Sequence, residues 1–431
     1  MRRIFLILVG FASLLAACQE TPPTATNTPI VIETQDSVSS SEFRVWGLSG
    51  LGVEINDYMV EVFRERHPEI EVIITDEGWD EALRLNLENA IRINQPPDVA
   101  IGENYFRSFA SQGQLQNLDE IIAASDLIPA TYEAGIYQGQ AHAVPLFTGV
   151  FGLERNCSVI EAAGRDCDQP PQYWDEFLEE VRAINEAGQG QYYGYTLQGP
   201  GGTAVGAAFR IAVYQAQIDR LPCADDACTV PLFNHPDDAA AMTFIRELSQ
   251  YTPPGLLQNT HEGEVYEALF RGVSAYQIAG SWHVSWAQEA GCLNCRYSPI
   301  PYAREGHPAN LLVGNVLFAA PKNSHHPDLA REWIELMISE EVQDLIFPLL
   351  GRLPVSRVSL EKLRLDVDEA TAVFIDELLN TESLHILPQW ENMPRETWVI
   401  YNQMLDAVLN TQRSIPEIMD EAQQAIERLH R

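Results

Sequence analysis

Strand-like and helix-like segments alternate between residues 42 and 102, and this alternation constrains the fold more than any other feature. Residues 43–48, 70–75 and 99–102 have the apolar, β-branched character of buried strands. Residues 56–66 and 82–93 have helical periodicity and end before proline-containing breaks. Strand, helix, strand, helix, strand with short links predicts an α/β fold with a mostly parallel sheet flanked by helices.

A second α/β region is expected after Pro145, because the chain from residue 42 to residue 431 exceeds what one core usually holds. Its predicted strands are 150–153, 193–197 and 274–279, followed by an extended apolar run at 310–321. The predicted helices are 173–184, 204–216, 236–251, 264–270, 329–338, 341–349, 370–379, 397–409 and 416–430.

Residues 1–17 have the layout of a secretory signal peptide. Two arginines precede an apolar run at 4–15, which is too short to span a bilayer. The sequence Leu-Ala-Ala-Cys at 15–18 resembles the lipobox of bacterial lipoproteins, which implies cleavage before Cys18 and lipidation of its thiol. An ordinary signal peptide that contains a cysteine is the alternative. Residues 18–41, rich in Thr, Pro and Ser, predict a flexible spacer, so we expect an extracytoplasmic protein anchored to the cell membrane by lipid.

Acidic residues dominate the charge, with 61 Asp and Glu against 27 Lys and Arg and a formal net charge of −34. Such a surface repels phosphate backbones and anionic lipids, so we expect no nucleic-acid partner and no membrane contact beyond the anchor. One interpretation of this negative charge is that it keeps an exposed surface soluble. The more specific alternative is that the protein binds a basic ligand.

Six cysteines remain when Cys18 is assigned to the lipid, an even number in a compartment that permits disulfides. Local pairing is the economical choice and predicts Cys157–Cys167, Cys223–Cys228 and Cys292–Cys295. A four-thiolate zinc site built from the last two pairs is the rival interpretation. A redox role for the last pair lacks the strand-turn-helix setting such motifs have.

No catalytic, metal-binding or cofactor-binding motif is complete in the sequence. Neither Lys322 nor Lys362 is followed by Ser or Thr, so neither ends a P-loop. His261-Glu262 lacks the second histidine of a zincin helix. Ser49 is one residue short of a nucleophile elbow. We therefore expect a protein that is not an enzyme and has no cofactor.

Aromatic residues lie near several predicted strand ends. In parallel sheets ligands bind outside the carboxyl ends of the strands, and flat aromatic faces stack on sugar rings. Trp282 is the strongest candidate because it follows Gly280-Ser281 at a strand exit, although a core role is the alternative for each aromatic. The candidates are Trp46, Trp79, Tyr105, Phe147, Trp282, Trp286, Trp390 and Trp398.

Short motifs occur in a fixed order after the spacer: PPDV at 96–99, ASQGQLQNLD at 110–119, GQAHAVP at 139–145, PPQYWDEF at 170–177, FRGVSA at 270–275 with GSW at 280–282, and GRLPV at 351–355. In order and spacing they resemble the maltose-binding-like family 1 of extracellular solute-binding proteins of ABC importers. Two positions depart from this pattern. Glu154-Arg155-Asn156 stands where Tyr-Asn-Lys is usual, and Gly102 replaces an aromatic that maltose binders have near that strand end.

The resemblance implies a two-lobed periplasmic-binding-protein fold, with lobes joined by a multi-strand hinge and a ligand in the cleft between them. The expected N-lobe comprises 42–146 and 313–360, and the expected C-lobe comprises 147–312 and the helical 361–431. The resemblance and the strand-end aromatics together predict ligand contacts at Trp46, Ser49, Glu77, Trp79, Asn104, Tyr105, Phe147, Thr148, Gln198, Gly201, Trp282, Gly314, Asn315, Arg352 and Trp398.

The resemblance implies a monomeric lipoprotein that binds a small molecule and docks on ABC permease subunits. A mono- or oligosaccharide is the ligand we expect, because of the tryptophans. A polyamine or other cation is the alternative suggested by the acidity, and it requires carboxylates in the cleft. A secreted glycoside hydrolase is the alternative of another class, and it requires two carboxylates about 5–10 Å apart.

Overall fold

The computed structural model describes residues 41–47, 53–78, 80–102, 105–200, 211–215, 218, 231–259, 262–303, 313–380 and 396–429. The signal peptide and the spacer predicted at 1–41 lie outside these residues, apart from residue 41. The described chain has a mixed α/β fold with the strands β1 (Glu42–Gly47), β2 (Glu71–Asp76), β3 (Val99–Gly102), β4 (Ile136–Tyr137), β5 (Gln140–Ala141), β6 (Val144–Asn156), β7 (Tyr193–Tyr195), β8 (Ser274–Gly280), β9 (Cys295–Ser298), β10 (Val313–Ala319) and β11 (Leu353–Pro354).

One continuous sheet runs through the described chain in the order β2-β1-β3-β10-β6-β8-β7, and β9 and β11 also pair with β6. Pairing is parallel towards both ends, between β1 and its neighbours β2 and β3 and between β7 and β8. The strands at the middle, β10 and β6, pair antiparallel with each other and with their outer neighbours. The sheet therefore consists of two outer parts joined by long strands.

Strand β6 is the central connection, and the sequence prediction for it was too short. The prediction placed a strand at 150–153 only, whereas the observed strand has 13 residues and is buried throughout. Pro145, Gly149 and Gly152 look like strand breaks in the sequence. Pro145 lies beside a shift of register against β10, where a missing N–H is tolerated. The glycines are required by close packing, as described below.

The longer helices lie where the sequence predicted them, within a few residues. For the helix predicted at 204–216, only residues 211–215 are described, and these are helical. Short helices at 106–111, 119–124, 129–132, 157–162, 283–289 and 357–364 were not predicted. Of the described residues, no helix has both the length and the apolar character needed to cross a membrane. The helices are α1 (Val53–Arg66), α2 (Asp80–Arg92), α3 (Phe106–Ser111), α4 (Asp119–Ala124), α5 (Pro129–Tyr132), α6 (Cys157–Ala162), α7 (Trp174–Gly188), α8 (Pro236–Ser249), α9 (Glu262–Phe270), α10 (His283–Glu289), α11 (Pro327–Met337), α12 (Glu340–Leu350), α13 (Arg357–Arg364), α14 (Glu369–Asn380), α15 (Glu396–Asn410) and α16 (Ile415–Leu429).

Separate hydrophobic cores lie on the two sides of the middle strands. On one side Phe43 of β1 stacks on Phe63 of α1 with ring centres 5.1 Å apart, and Trp333 packs 5.7 Å from Phe43. On the other side Phe177 of α7 meets the ring of Tyr276 of β8 edge to face at 5.3 Å. Two cores joined by shared strands are the two-lobed arrangement that the sequence predicted. The boundaries of the lobes along the chain stay a prediction.

Two of the predicted disulfides are present. Cys157 is bonded to Cys167 and Cys292 to Cys295, with Cα–Cα distances of 5.3 and 5.5 Å. The predicted pair at 223 and 228 lies outside the described residues. Because Cys292 and Cys295 are bonded to each other, they are not available as thiolate ligands, which argues against the zinc site. Among the described residues no group of three or more His, Cys, Asp or Glu is placed to hold a metal ion.

Candidate functional site

The candidate site lies where β6 changes its pairing partners. Asn315 and Gly314 of β10 pair with Thr148 and Gly149 of β6. Leu353 of β11 also pairs with Thr148, which places Arg352 next to this point. On the far side Ser281 donates its backbone N–H to the carbonyl of Val150 over 2.8 Å, and Trp282 follows directly. Four chain segments therefore converge here and bring together six of the predicted ligand contacts: Phe147, Thr148, Trp282, Gly314, Asn315 and Arg352.

Trp282 lies close against the backbone of two neighbouring strands. A Cβ atom at Gly149 would come within 2.3 Å of Trp282 Cζ3, and one at Gly280 within 2.2 Å of Cη2. Only glycine permits this approach, which explains the glycines in β6 and β8. The ring of Phe151 meets the indole edge to face at 5.6 Å. Trp282 is only partly buried, so part of its ring system is open to a ligand.

Arg352 adds a cation beside this indole. Its Cζ lies 5.2 Å from the Trp282 ring centre and 5.9 Å from that of Phe147, within the range of cation–π interaction. The position follows from the end of helix α12, where Gly351 adopts a left-handed conformation with φ of 61° and turns the chain towards β11. The site thus combines an aromatic platform, which is the indole of Trp282, with the N–H donors of Arg352.

A buried carboxylate lies behind Trp282, in contact with the neighbouring His283, and no sequence motif marks it. Glu154 of β6 is fully buried and accepts hydrogen bonds from Gln277, Tyr297 and His283. Burial, and then the neighbouring Glu154, raise the pKa of Tyr297 well above its ordinary value, so its hydroxyl stays protonated and donates. The available signal was an acidic residue directly after the apolar strand predicted at 150–153.

A second group of predicted contacts lies at the end of β3. Tyr105 is buried, and its ring centre is 5.2 Å from that of Phe106. A Cβ at Gly102 would come within 2.3 Å of the Tyr105 hydroxyl, which gives a physical reason for the glycine at this departure from the family pattern. Trp46 of β1 packs half-buried against the same cluster.

The remaining predicted contacts lie on other elements, away from the point where β6, β10 and β11 meet. Glu77 follows β2, where its backbone carbonyl accepts a hydrogen bond from Asn86 at 3.2 Å. Gln198 is buried after β7. Trp398 packs half-buried on the larger core, 6.4 Å from Tyr401 between ring centres. Contact with a ligand stays a prediction for all fifteen residues, and four of them lie outside the described residues: Ser49, Trp79, Asn104 and Gly201.

Comparison with known proteins identifies one family. The sequence profile of the family described as bacterial extracellular solute-binding protein matches residues 50–344. No curated protein matches the chain.

Solved structures share the fold at low sequence identity. The sugar-binding protein MalE from Xanthomonas citri is 20% identical, with a TM-score of 0.76 over 90% of this chain and 97% of that one. The cyclic α-maltosyl-1,6-maltose binding protein from Arthrobacter globiformis is 19% identical, with a TM-score of 0.75 over 90% and 98%. UgpB from Mycobacterium tuberculosis, in complex with glycerophosphocholine, is 16% identical, with a TM-score of 0.76 over 91% and 99%.

Proposed function

Because the chain belongs to the family of bacterial extracellular solute-binding proteins, we propose that it captures a mono- or oligosaccharide beside Trp282 and delivers it to the permease of an ABC importer. Membership of the family assigns solute binding outside the cytoplasm. We further propose that the solute is a sugar, that it is delivered to a permease and that the protein catalyses no reaction. The observation that carries it is the partly exposed Trp282 indole, held against Gly149 and Gly280 where the two cores meet.

The chemistry of this site suits a sugar. An aromatic face stacks on the C–H face of a pyranose ring, while nearby polar groups bond its hydroxyls. The guanidinium of Arg352, whose Cζ lies 5.2 Å from the indole centre, provides N–H donors. Several proteins of similar fold are named for sugar ligands, among them MalE and the cyclic α-maltosyl-1,6-maltose binding protein. This supports a carbohydrate as the ligand class.

Anchoring is part of the same proposal. Cys18, lipidated after cleavage of residues 1–17, and the spacer 18–41 would keep a monomeric binding protein close to its permease. Metabolic labelling with a radioactive fatty acid tests this, because the wild type should carry label and sediment with membranes. The Cys18→Ala variant should lose both properties, and Ser40→Ala in the same segment should lose neither.

Isothermal titration calorimetry with a ligand panel tests the binding proposal. The panel contains maltose, maltotriose, maltotetraose, tagatose, glycerophosphocholine, putrescine and spermidine. We expect at least one sugar to bind with a Kd of about 1 μM or tighter, equivalent to about −8 kcal/mol. Flat traces for every sugar, with binding of a polyamine, would replace the proposal by the cation alternative. Release of reducing sugar from a polysaccharide panel would favour the hydrolase alternative.

Matched tryptophan variants connect binding to the site. Trp282→Ala should weaken the sugar by about a hundredfold and Trp282→Phe by about tenfold, because stacking area is lost in that order. Trp174→Phe is the control, since Trp174 is buried on α7 and stacks on Phe244 at 4.2 Å. It should lower stability without changing the Kd. Equal effects on affinity at both positions would contradict the placement of the ligand.

The cation alternative draws support from one observation, the net charge of −34. The charged group that the described residues place against the indole of Trp282 is a guanidinium, which repels a polyamine. Polyamine binding would also fall steeply with added salt, whereas sugar stacking would not. Titration at 20 mM and 500 mM NaCl therefore separates the two ligand classes.

A further inference from the structure

The carboxylate behind the platform occupies the centre of a row of three strands. Glu154 of β6 lies directly opposite Gln277 of β8 and opposite Tyr297 of β9. Gln277 Nε2 donates to Glu154 Oε2 over 2.6 Å, and the Tyr297 hydroxyl donates to Oε1 over 2.6 Å. All three side chains are buried, so Glu154 has no route to a ligand in the cleft.

The third donor connects this carboxylate to the platform. His283 Nδ1 lies 3.0 Å from Glu154 Oε2, and His283, like Glu154, is fully buried. Because a carboxylate only accepts, Nδ1 carries the proton in this hydrogen bond. His283 is the first residue of helix α10 and follows Trp282 directly. The contact therefore fixes the start of helix α10, directly after Trp282.

Aromatic rings enclose the imidazole on its other sides. The ring of Tyr266 meets it edge to face with centres 3.8 Å apart, and Trp286 lies 5.2 Å away at 33°. Phe270 and Trp282 complete the enclosure at 5.9 and 6.1 Å. An imidazole packed in this way has little freedom to rotate. Because His283 follows Trp282 directly, a fixed imidazole also restrains the backbone and the indole of Trp282.

Stability alone does not account for the network. Burying a carboxylate is unfavourable, and apolar side chains of similar volume are often as stable as a buried ion pair. A fully bonded polar network instead specifies one geometry. We propose that Glu154 is a positioning residue, which sets the orientation of Trp282 through His283. Its effect on affinity rests on the proposed function, whereas its effect on the indole does not.

Four variants of the full chain separate orientation from stability. Glu154→Gln replaces one accepting oxygen by a donor and sets it against the existing donors. His283→Leu removes the link, and His283→Asn keeps an amide nitrogen near the place of Nδ1. Asp98→Asn is the matched control, because Asp98 is also a buried carboxylate with three donors, the Arg44 and His326 backbone N–H groups and the Ser324 hydroxyl.

Two readouts are needed. The first is the fluorescence of Trp282, obtained by subtracting the spectrum of the same variant with Trp282→Phe, together with its quenching by acrylamide. The second is the Kd for maltotetraose, the sugar probe. Thermal unfolding of every variant provides the stability against which both are compared.

We expect Glu154→Gln and His283→Leu to shift the Trp282 spectrum, increase its quenching about twofold and weaken maltotetraose about tenfold, equivalent to about 1.4 kcal/mol. His283→Asn should stay within about threefold of wild type in affinity. Asp98→Asn should lower the unfolding temperature and change neither readout.

The proposal fails if Glu154→Gln and His283→Leu lower the unfolding temperature while the Trp282 spectrum and quenching match wild type. It also fails if Asp98→Asn changes the spectrum equally, since the effect would then be general destabilisation. If maltotetraose does not bind wild type, the affinity measurement bears on the proposed function only. If Glu154→Gln does not fold, the comparison of His283→Asn with His283→Leu decides the question.

Discussion

Gly149 and Trp282 are in such close contact that a single added carbon would overlap the indole, at 2.3 Å from Cζ3. The contact joins the middle of β6 to the residue at the start of helix α10, so the hinge backbone itself supports the platform. A flat ring resting on peptide backbone has few alternative positions. The glycine is therefore as much a part of the candidate site as the tryptophan.

Gly149→Ala should displace Trp282 and weaken sugar binding by about tenfold or more, while it destabilises the protein by about 1–3 kcal/mol through overpacking. Calorimetry and denaturant unfolding measure the two effects. Gly263→Ala is the control, because a Cβ there meets nothing within 4 Å and Gly263 lies within helix α9. Because Gly263 is the second residue of the helix, the substitution should change stability by less than about 1 kcal/mol and leave the Kd unchanged. Unchanged affinity in Gly149→Ala would remove Trp282 from the ligand site.

Arg352 should contribute to affinity through its charge and its planar group. Arg352→Lys retains the cation but loses the flat guanidinium, and Arg352→Gln loses both the charge and the fork of donors. We expect Kd to rise about threefold and about tenfold, in line with cation–π energies of about 0.5–2 kcal/mol. Arg357→Gln is the control, because Arg357 is an exposed residue on helix α13. A lower Kd for Arg352→Gln would show that the guanidinium competes with the ligand.

Period and end signals were sufficient to predict the regular part of this fold. Strands β1 to β3 and the long helices follow apolar periodicity, and the ordered motifs indicated the solute-binding family, which the profile match confirms. Strand β6 was predicted too short, since Pro145 and two glycines resemble breaks until their neighbours are known. Strand β9, with the sequence CRYS, and the two-residue β11 carry no alternation long enough to recognise.

The place of a residue in the candidate site was predictable where local sequence carries the signal and not where it depends on contacts between strands. The position of Trp282 at a strand exit was predicted because Gly-Ser-Trp ends a buried strand, and its contact with a ligand stays a prediction. The role of Glu154 depends on Gln277 and Tyr297, which lie more than one hundred residues away and reach it only through pairing of β6 with β8 and β9. No local pattern encodes such a row, because strand order and register are properties of the folded sheet.

The two described disulfides should differ in their contribution to stability. In the chain-entropy account, stabilisation grows with the loop that the bond closes. Cys157–Cys167 spans 10 residues and Cys292–Cys295 spans 3, so replacing each pair by serine should cost about 2.7 and about 1.6 kcal/mol. Urea unfolding of both variants measures the difference, and a larger loss for the shorter loop would contradict the entropic account here.

Asp119, at the start of helix α4, should contribute stability that depends on pH. It accepts the backbone N–H of Ala141 over 2.6 Å, and this hydrogen bond, together with one from Asn117, holds the pKa of its carboxyl below the ordinary value of 3.8. A lowered pKa in the folded state means that the ionised form is preferred there. The stabilisation is therefore fully present above pH 3.8 and is lost as pH falls through the lower, folded-state value.

Asp119→Asn should reduce the free energy of unfolding by about 1 kcal/mol at pH 7, a modest figure because the group is partly exposed. The difference from wild type should stay constant down to pH 5 and be smaller at pH 3, because below pH 3.8 the carboxyl of the unfolded chain takes up a proton. Glu120→Gln, on the adjacent exposed residue paired with Arg331, is the control and should change stability by less than about 0.5 kcal/mol. Urea unfolding at pH 7, 5 and 3 measures all three proteins. A difference that grows towards pH 3 would show that the hydrogen bond to Ala141 does not favour the ionised form.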